Sequence, residues 1–345
     1  MDFRGHGKAL FISKHNAITN PPKLIVGILI VRILSLRYNA SSFFVQTPAM
    51  TQKHPALIGA IPIIFVLLWS TGFLGAKYAL PFIEPFYLLC IRMTITVGVF
   101  FLLIMIFKAE WPNRKQAGHQ MVVGALIHGA YLGGVFAAIK LGMPAGISAI
   151  IVGIQPVLTA LLSWQLMGGK LRSLQWAGLA LGLLGVTVII LSTRGADSTG
   201  MSWPAILATL VSLCGISIGT LYQKRFGVGV SLLGGAFWQF VSTAVLMGIL
   251  AWSFETRVVI WDAQLIIALA WLVFGLSVSA ILLLMYMIRE GESAKVASYF
   301  YLVPVVVSIE TWYLFGESLP VIAVVAMAVT VLGVYWVVKT QQPKM

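Results

Sequence analysis

Charge is what this sequence has least of. Of its 345 residues only 10% are Asp, Glu, Lys or Arg, where an ordinary soluble domain carries about 25%. Acids are the scarcest: 10 Asp and Glu stand against 23 Lys and Arg, a formal net charge of +13. Cysteine is nearly absent too. Cys90 and Cys214 are the two, both inside apolar runs, which excludes a disulfide framework and a thiolate metal site and leaves small apolar side chains. No HExxH, GxSxG or Walker A motif occurs, so zincin, serine-hydrolase and P-loop chemistries find no footing. No connection between the apolar runs can hold a nucleotide-binding domain, so ATP-driven pumping within this chain is excluded. No cofactor and no metal are expected.

What the sequence does have is apolar surface. Hydrophobic residues make up 59% and the mean hydropathy is +0.96. Too few polar residues remain to cover that surface in water. A soluble enzyme, a disordered chain and a nucleic-acid-binding domain are therefore excluded. The basic excess argues the same way, because it forms no basic face but sits in short clusters between apolar runs.

Crossing about 30 Å of hydrocarbon takes about 20 apolar residues. Ten runs qualify: 57–78, 85–107, 120–140, 145–167, 174–192, 203–222, 231–252, 264–288, 293–315 and 320–338. They are apolar on all sides rather than alternating, so helices fit and a β-barrel does not. The expected fold is an all-α membrane protein of ten transmembrane helices, with the lipid bilayer as its partner. Leaving out residues 1–49, one set of connections carries twelve Lys or Arg, among them Lys108, Arg114, Lys224 and Arg225, and the other carries four, Lys77, Lys140, Arg194 and Arg257. The richer side faces the cytoplasm by the positive-inside rule, which puts both termini there. Residues 1–56 stand apart as an N-terminal extension. Its 13-residue apolar stretch 24–36 is interrupted by Arg32, too short and too charged for a span. Two readings stay open: an interfacial helix, or an upstream extension with Met50 as the start.

The chain repeats itself. Residues 149–190 align without a gap on 297–338, with eleven identities in 42 positions, including Pro156/Pro304, Trp164/Trp312, Gly168/Gly316 and Gly185/Gly333. Arg92 and Gln239 fall at nearly the same offset. Two five-span halves, 57–193 and 203–338, follow. Five is odd, so the second half enters the membrane in the opposite sense to the first. Inverted repeats of this kind are a common build for secondary transporters.

Several local motifs resemble the EamA family of the drug/metabolite transporter superfamily. They are Trp69-Ser70-Thr71-Gly72-Phe73 with Lys77-Tyr78, Glu84-Pro85-Phe86 leading to Arg92, and Gly142-Met143-Pro144-Ala145-Gly146. Gln155-Pro156, Pro304 and Phe315-Gly316-Glu317 complete the set. The resemblance spans about 57–338. It implies a ten-helix carrier, usually an exporter of small metabolites, amino acids or drugs. One departure stands out. The family usually closes span 4 with Gly-Glu, and here the sequence reads Gly168-Gly169-Lys170, so only the second half keeps the acid, Glu317.

Ionisable residues inside a membrane are costly and are functional candidates by default. Arg92 lies about 10 Å into span 2, and Glu310 about 9 Å from the outer end of span 9. At similar depth the two are expected either to form an ion pair, or to divide the work, with Arg92 binding an anionic substrate group and Glu310 taking a proton. The bland alternatives are a snorkelling or packing arginine and an acid that never leaves interfacial water. His128 could relay protons, or be an interior histidine hydrogen-bonded beside Tyr131. Trp69, Gln155, Trp238, Gln239, Tyr299 and Tyr301 are candidate walls of a pocket for an amphipathic small molecule, each also readable as packing or an interface anchor. Pro156 and Pro304 should weaken their helices at matching places. The spacings Gly129/Gly133, Gly178/Gly182 and Gly215/Gly219 suit close helix contact inside the bundle.

The reading is a secondary transporter that exports a small metabolite, amino acid or drug by alternating access, coupled to protons. The competing readings are a facilitative importer or uniporter and a non-transporting scaffold. An enzyme is disfavoured, because the few acids do not cluster at one interface.

Overall fold

The computed structural model describes residues 55–167, 172–194, 202–280, 283, 302–317 and 319–339. Segments that run on or break at a single residue can be joined, which gives ten helices among the described residues. They are α1 (Pro55–Ala79), α2 (Pro85–Phe107), α3 (Arg114–Lys140), α4 (Ala145–Gly153 and Gln155–Met167) and α5 (Ser173–Arg194). The rest are α6 (Trp203–Phe226), α7 (Leu232–Phe254), α8 (Ala263–Ala280), α9 (Leu302–Phe315) and α10 (Val321–Lys339). Six, namely α2, α3, α4, α6, α7 and α8, are long and apolar enough to cross a membrane, and four shorter apolar helices, Ile63–Ala79, Ser173–Val188, Leu302–Phe315 and Val321–Trp336, accompany them. The chain is an all-α, multi-pass membrane protein. The N-terminal extension, including the stretch 24–36 and Met50, lies outside the described residues.

Local chemistry sets the helix starts. In α2, Pro85 occupies the first turn, where its missing N–H costs nothing. Asn113 and Gln116 form a capping box, which starts α3 at Arg114 rather than at 120 as the apolar run alone suggests. Ser202, Ser231 and Asp262 accept backbone N–H groups at the starts of α6, α7 and α8.

Two helices contain a wider, π-helical stretch: Ala125–Ala130 in α3 and Trp271–Ala280 in α8. A gap-free shift of 147 lays the first onto 272–277, inside the second. α4 is broken at Ile154, two residues before Pro156, whose ring cannot donate to the carbonyl four residues back. The expected weak point at Pro156 is thus a true break. Pro304 is the third residue of α9 and packs into that break, its Cγ 2.7 Å from where a Cβ on Gly153 would stand.

Helix packing runs largely between the two sequence halves. α2 lies along α7, α4 against α9, and α5 along α10. α3 packs on α6, and α1 packs on α8 and α9. The glycine pairs are spent inside the bundle: Gly215 and Gly219 meet α3, and Gly129 and Gly133 meet Leu246 and Met247 of α7. At the α5–α10 crossing the contact is reciprocal. Gly185 lies against Ala326 and Thr330, while Gly333 lies against Gly178 and Gly182. Each set is the other shifted by 148 residues. The α2–α7 interface buries Leu88, Leu89, Met93, Phe100 and Phe240, with the Phe100 and Phe240 rings 5.2 Å apart.

A methyl group at Gly185 would stand 2.1 Å from Thr330 Oγ1, and one at Gly333 2.7 Å from backbone atoms of α5. Gly185→Ile and Gly333→Ile should each destabilise the folded protein by about 1–3 kcal/mol through overpacking. Gly98→Ala, where nothing lies within 4 Å, should be neutral or slightly stabilising. Thermal unfolding in detergent checks all three. An unchanged midpoint in both isoleucine variants would contradict the close crossing.

Candidate functional site: a polar cluster between the sequence halves

In a helix bundle immersed in lipid, polar side chains must find partners within the protein. Where they gather, the bundle core is doing something other than packing. Such a gathering sits between α2, α3, α7 and α8. Arg92 on α2 is 4% exposed, and its Nε and Nη2 both donate to Ser277 Oγ of α8, at 3.2 and 3.0 Å. Ser277 in turn donates to Leu272 O. His128 of α3 shares a hydrogen bond of 3.2 Å with Gln239 Oε1 of α7 and stacks on Phe240 at 4.7 Å. The Gln239 amide donates to Gln120 Oε1 at 2.6 Å. Arg92 is close enough to act electrostatically on both His128 and Tyr131. Tyr131 is buried and has Trp69 of α1 as a side-chain hydrogen-bond partner. His128 and Ser277 both stand on the π-helical stretches, where the widened turn re-aims side chains.

This cluster brings together four of the residues read from sequence, namely Trp69, Arg92, His128 and Gln239. It adds Gln120, Tyr131 and Ser277. The hydrogen-bond partner of His128 is Gln239. The expected Arg92–Glu310 ion pair is not present, and this corrects one of the two sequence expectations. Glu310 on α9 instead accepts from Ser70 Oγ of α1 at 3.0 Å, and its other oxygen is buried without a donor. Equal depth put Arg92 and Glu310 at one level, but depth says nothing of azimuth: α9 packs on α1 and α4, and α2 packs on α7.

The remaining candidates are dispersed. Gln155 follows the α4 break and donates to Thr220 of α6 at 3.1 Å. Trp238 meets Phe237 edge-on at 5.5 Å, and its buried Nε1 has no partner. Tyr299, Tyr301, Glu290, Glu292 and the 168–170 segment lie outside the described residues. A cavity of about 470 Å³ opens between α1 and α8, lined by Thr71, Tyr78, Gln264 and Trp271 among others. It is an apolar groove on the outside of the bundle, and none of the cluster residues lines it. Among the described residues no group of three His, Cys, Asp or Glu could hold a metal ion.

One end of the bundle is tied by charge. Lys77 at the end of α1 pairs with Glu317 just beyond α9 and lies over the Phe315 ring at 4.4 Å. Lys140 Nζ donates to Leu80 O at 2.8 Å. Between α2 and α7 two carboxylates cross over. Glu84 accepts from Thr256 Oγ1 and from Arg257 N, at 2.7 and 2.9 Å. Glu255 accepts from the N–H groups of Phe86 and Tyr87, both at 2.7 Å. At the other end Ser231, the residue that Glu84 meets under the 147-residue shift, donates to Glu110 O, and Glu110 corresponds to Arg257. The α2–α7 pair is therefore fastened at both ends through matching positions, with Glu84 accepting a backbone N–H and Ser231 donating to a backbone carbonyl.

The two carboxylates titrate in opposite senses. The Thr256 hydroxyl bond, the largest influence, holds Glu84 below the usual carboxylate range. Burial pushes Glu255 up despite its two N–H donors, with Glu84 adding to the shift and Lys140 opposing it. A lowered carboxyl stabilises the fold above its unfolded pKa and loses that contribution as pH falls, whereas a raised one contributes most in acid and loses it as pH rises. The difference in thermal midpoint between wild type and Glu84→Gln should thus grow from about pH 3 to about pH 6, and the difference for Glu255→Gln should shrink over the same range. Parallel slopes in melting curves would contradict the crossed arrangement.

Comparison with known proteins agrees with this architecture. The EamA-like transporter family matches residues 56–191 and again 203–339. The chain is 28% identical over 279 residues to the "Uncharacterized inner membrane transporter YedA" of Escherichia coli K12, covering 81% of this chain and 89% of that one. It is 27% identical over 252 residues to the "Uncharacterized transporter YvbV" of Bacillus subtilis 168, covering 70% and 78%. A "Probable amino-acid metabolite efflux pump" of Escherichia coli K12 is 24% identical over 290 residues, covering 80% and 93%. A solved crystal structure of a protein, 21% identical, superposes with a TM-score of 0.57 over 84% of this chain and 99% of that chain, a likeness of fold. With both halves of its sequence matched, the chain belongs to the EamA-like transporter family.

Proposed function

We propose that this protein is a secondary transporter that exports a small organic molecule across a bacterial-type inner membrane. It works by alternating access of two inverted five-helix halves and draws on the proton gradient. The observation that carries the reading is reciprocity. The Gly185 and Gly333 contacts exchange under the 148-residue shift. The Glu84–Arg257 and Ser231–Glu110 contacts exchange under the 147-residue shift. A pseudo-twofold axis in the membrane plane produces such exchange, and two related halves can then pack in two related ways, each open to one side. Family membership and the efflux-pump relative support a small-molecule substrate moving outward. The charge count supports cytoplasmic termini and puts Lys77, Glu84, Arg257 and Glu317 at the outer end.

In this reading the substrate crosses between the halves past Trp69, Arg92, Gln239 and Trp238, with Gln155 and Tyr299 contributing from α4 and from span 9. Glu310 carries the coupling proton and His128 relays it. Pro156 and Pro304 supply weakened helix segments that bend as the halves rock. The Lys77–Glu317 pair, which joins the end of α1 to the end of α9, closes the outer mouth.

Two measurements test this. Everted membrane vesicles energised with a pH gradient should accumulate amino acids or cationic drugs from a screened panel. Accumulation should collapse with a protonophore and with Glu310→Gln. Accumulation that ignores both would replace proton-coupled export by facilitated diffusion, and none across the panel would favour the scaffold reading. Separately, Lys77→Glu and Glu317→Lys should each cut transport about tenfold or more, a loss of about 1.4 kcal/mol, and the double swap should recover most of it. Failure of the swap to recover transport would remove the pair from the gating role.

A further inference from the structure

Arg92 is a buried cation without a counter-charge among the described residues. It is 4% exposed, and a guanidinium keeps its proton, so burial cannot be relieved by neutralising it. Its donors meet one serine oxygen, that of Ser277. Because the Ser277 hydroxyl donates to Leu272 O, that oxygen turns its lone pairs to the arginine. Both Nη1 hydrogens and one on Nη2 remain. His128 and Tyr131 lie close enough to feel the charge, and neither is a carboxylate. Among the described residues no carboxylate lies within ion-pair distance of it. Glu310 is engaged with Ser70 and Glu317 with Lys77, while Glu84 and Glu255 tie the helix ends. An uncompensated buried ion is strongly unfavourable unless a partner completes it.

We propose that Arg92 anchors the carboxylate of the transported molecule, and that the substrates are organic monocarboxylates with an apolar or aromatic body. The proposal deepens the transporter reading and rests on it for the purpose of the site. The planar fork of a guanidinium matches a carboxylate in two parallel hydrogen bonds. One cation suits one negative charge. The residue matching Arg92 in the other half is the neutral Gln239, and Lys77 and Lys140 are held at the bundle end, so among the described residues a phosphate dianion would lack its second positive partner. The surroundings are aromatic: Trp69 beside Tyr131, and His128 stacked on Phe240. Such walls suit an apolar body behind the charged group.

Three probes of one shape separate charge from bulk: 3-phenylpropanoate, 3-phenylpropanamide and 3-phenylpropan-1-amine. Their binding to the full-length protein in lipid nanodiscs is measured by calorimetry. The acid should bind at least about tenfold tighter than the amide, with the amine weakest. Arg92→Gln should erase that preference, and Arg92→Lys should keep part of it. Thermal unfolding gives a second readout. Without probe, Arg92→Met should melt higher than wild type, since it removes an uncompensated charge. The acid should raise the midpoint of wild type but not of the variant. Equal binding of acid and amide, a preference that survives in Arg92→Gln, or no binding of the acid at about 10 mM would overturn the proposal. So would an Arg92→Met protein that melts lower, which would make the guanidinium a structural contact. Flux of the same probes in proteoliposomes keeps the two readings apart. Selective binding without flux would sink the transporter reading alone, and flux without acid preference would sink the carboxylate anchor alone.

Discussion

In hydrocarbon a polar atom has only the protein to bond to, and this constraint shapes the whole molecule. Most hydroxyls answer it locally. Thr94, Thr96, Thr187, Thr209, Thr220, Thr243, Ser308 and Thr330 each donate to the carbonyl four residues back in their own helix. Some of them also bond across helices: Thr220 accepts from Gln155, and Thr243 reaches Gly124 O. The side chains too long or too charged for that solution must meet across helices, and Arg92, Gln120, His128 and Gln239 do so between α2, α3, α7 and α8. The polar cluster is what remains after local satisfaction has removed everything it can.

Close helix contact is the other half of the same constraint. Lipid tails are as apolar as leucine, so helices associate through tight packing rather than through expulsion of water. The glycines of α3, α5, α6 and α10 let backbones approach to within the space of a missing methyl group. Gly185 and Gly333 stand at matching places in the two halves and face each other's helices.

The halves also differ at charged positions. Arg92 corresponds to Gln239, Glu310 to Leu162 and Glu317 to Gly169, while Lys77 keeps a lysine, Lys224. A duplicated scaffold conserves its contacts, and specialisation falls on the few charged positions that contacts do not fix. Two of these, Arg92 and Glu310, stand in the membrane interior on different helix faces with different partners.

The sequence by itself determined the membrane class, the approximate positions of the helices among the described residues, the internal repeat and the break at Pro156. Each of these depends on hydropathy, on local capping or on self-similarity, all of which are written along the chain. It also singled out Arg92, His128 and Gln239, because charge and amide groups are conspicuous in apolar runs. What it could not supply was azimuth and partnership. Arg92 and Glu310 sit at similar depth, yet packing turns one toward α8 and leaves the other beside α1. Ser277 and Gln120 carried no signal, since a serine in an apolar helix ordinarily bonds its own backbone and Gln120 stands at the polar start of its run. The crossed pair Glu84 and Glu255 joins residues about 170 positions apart, through N–H groups that every residue owns. Only the tertiary structure decided which polar groups meet, because in a helix bundle the rotation of each helix is set by its neighbours and not by its own sequence period.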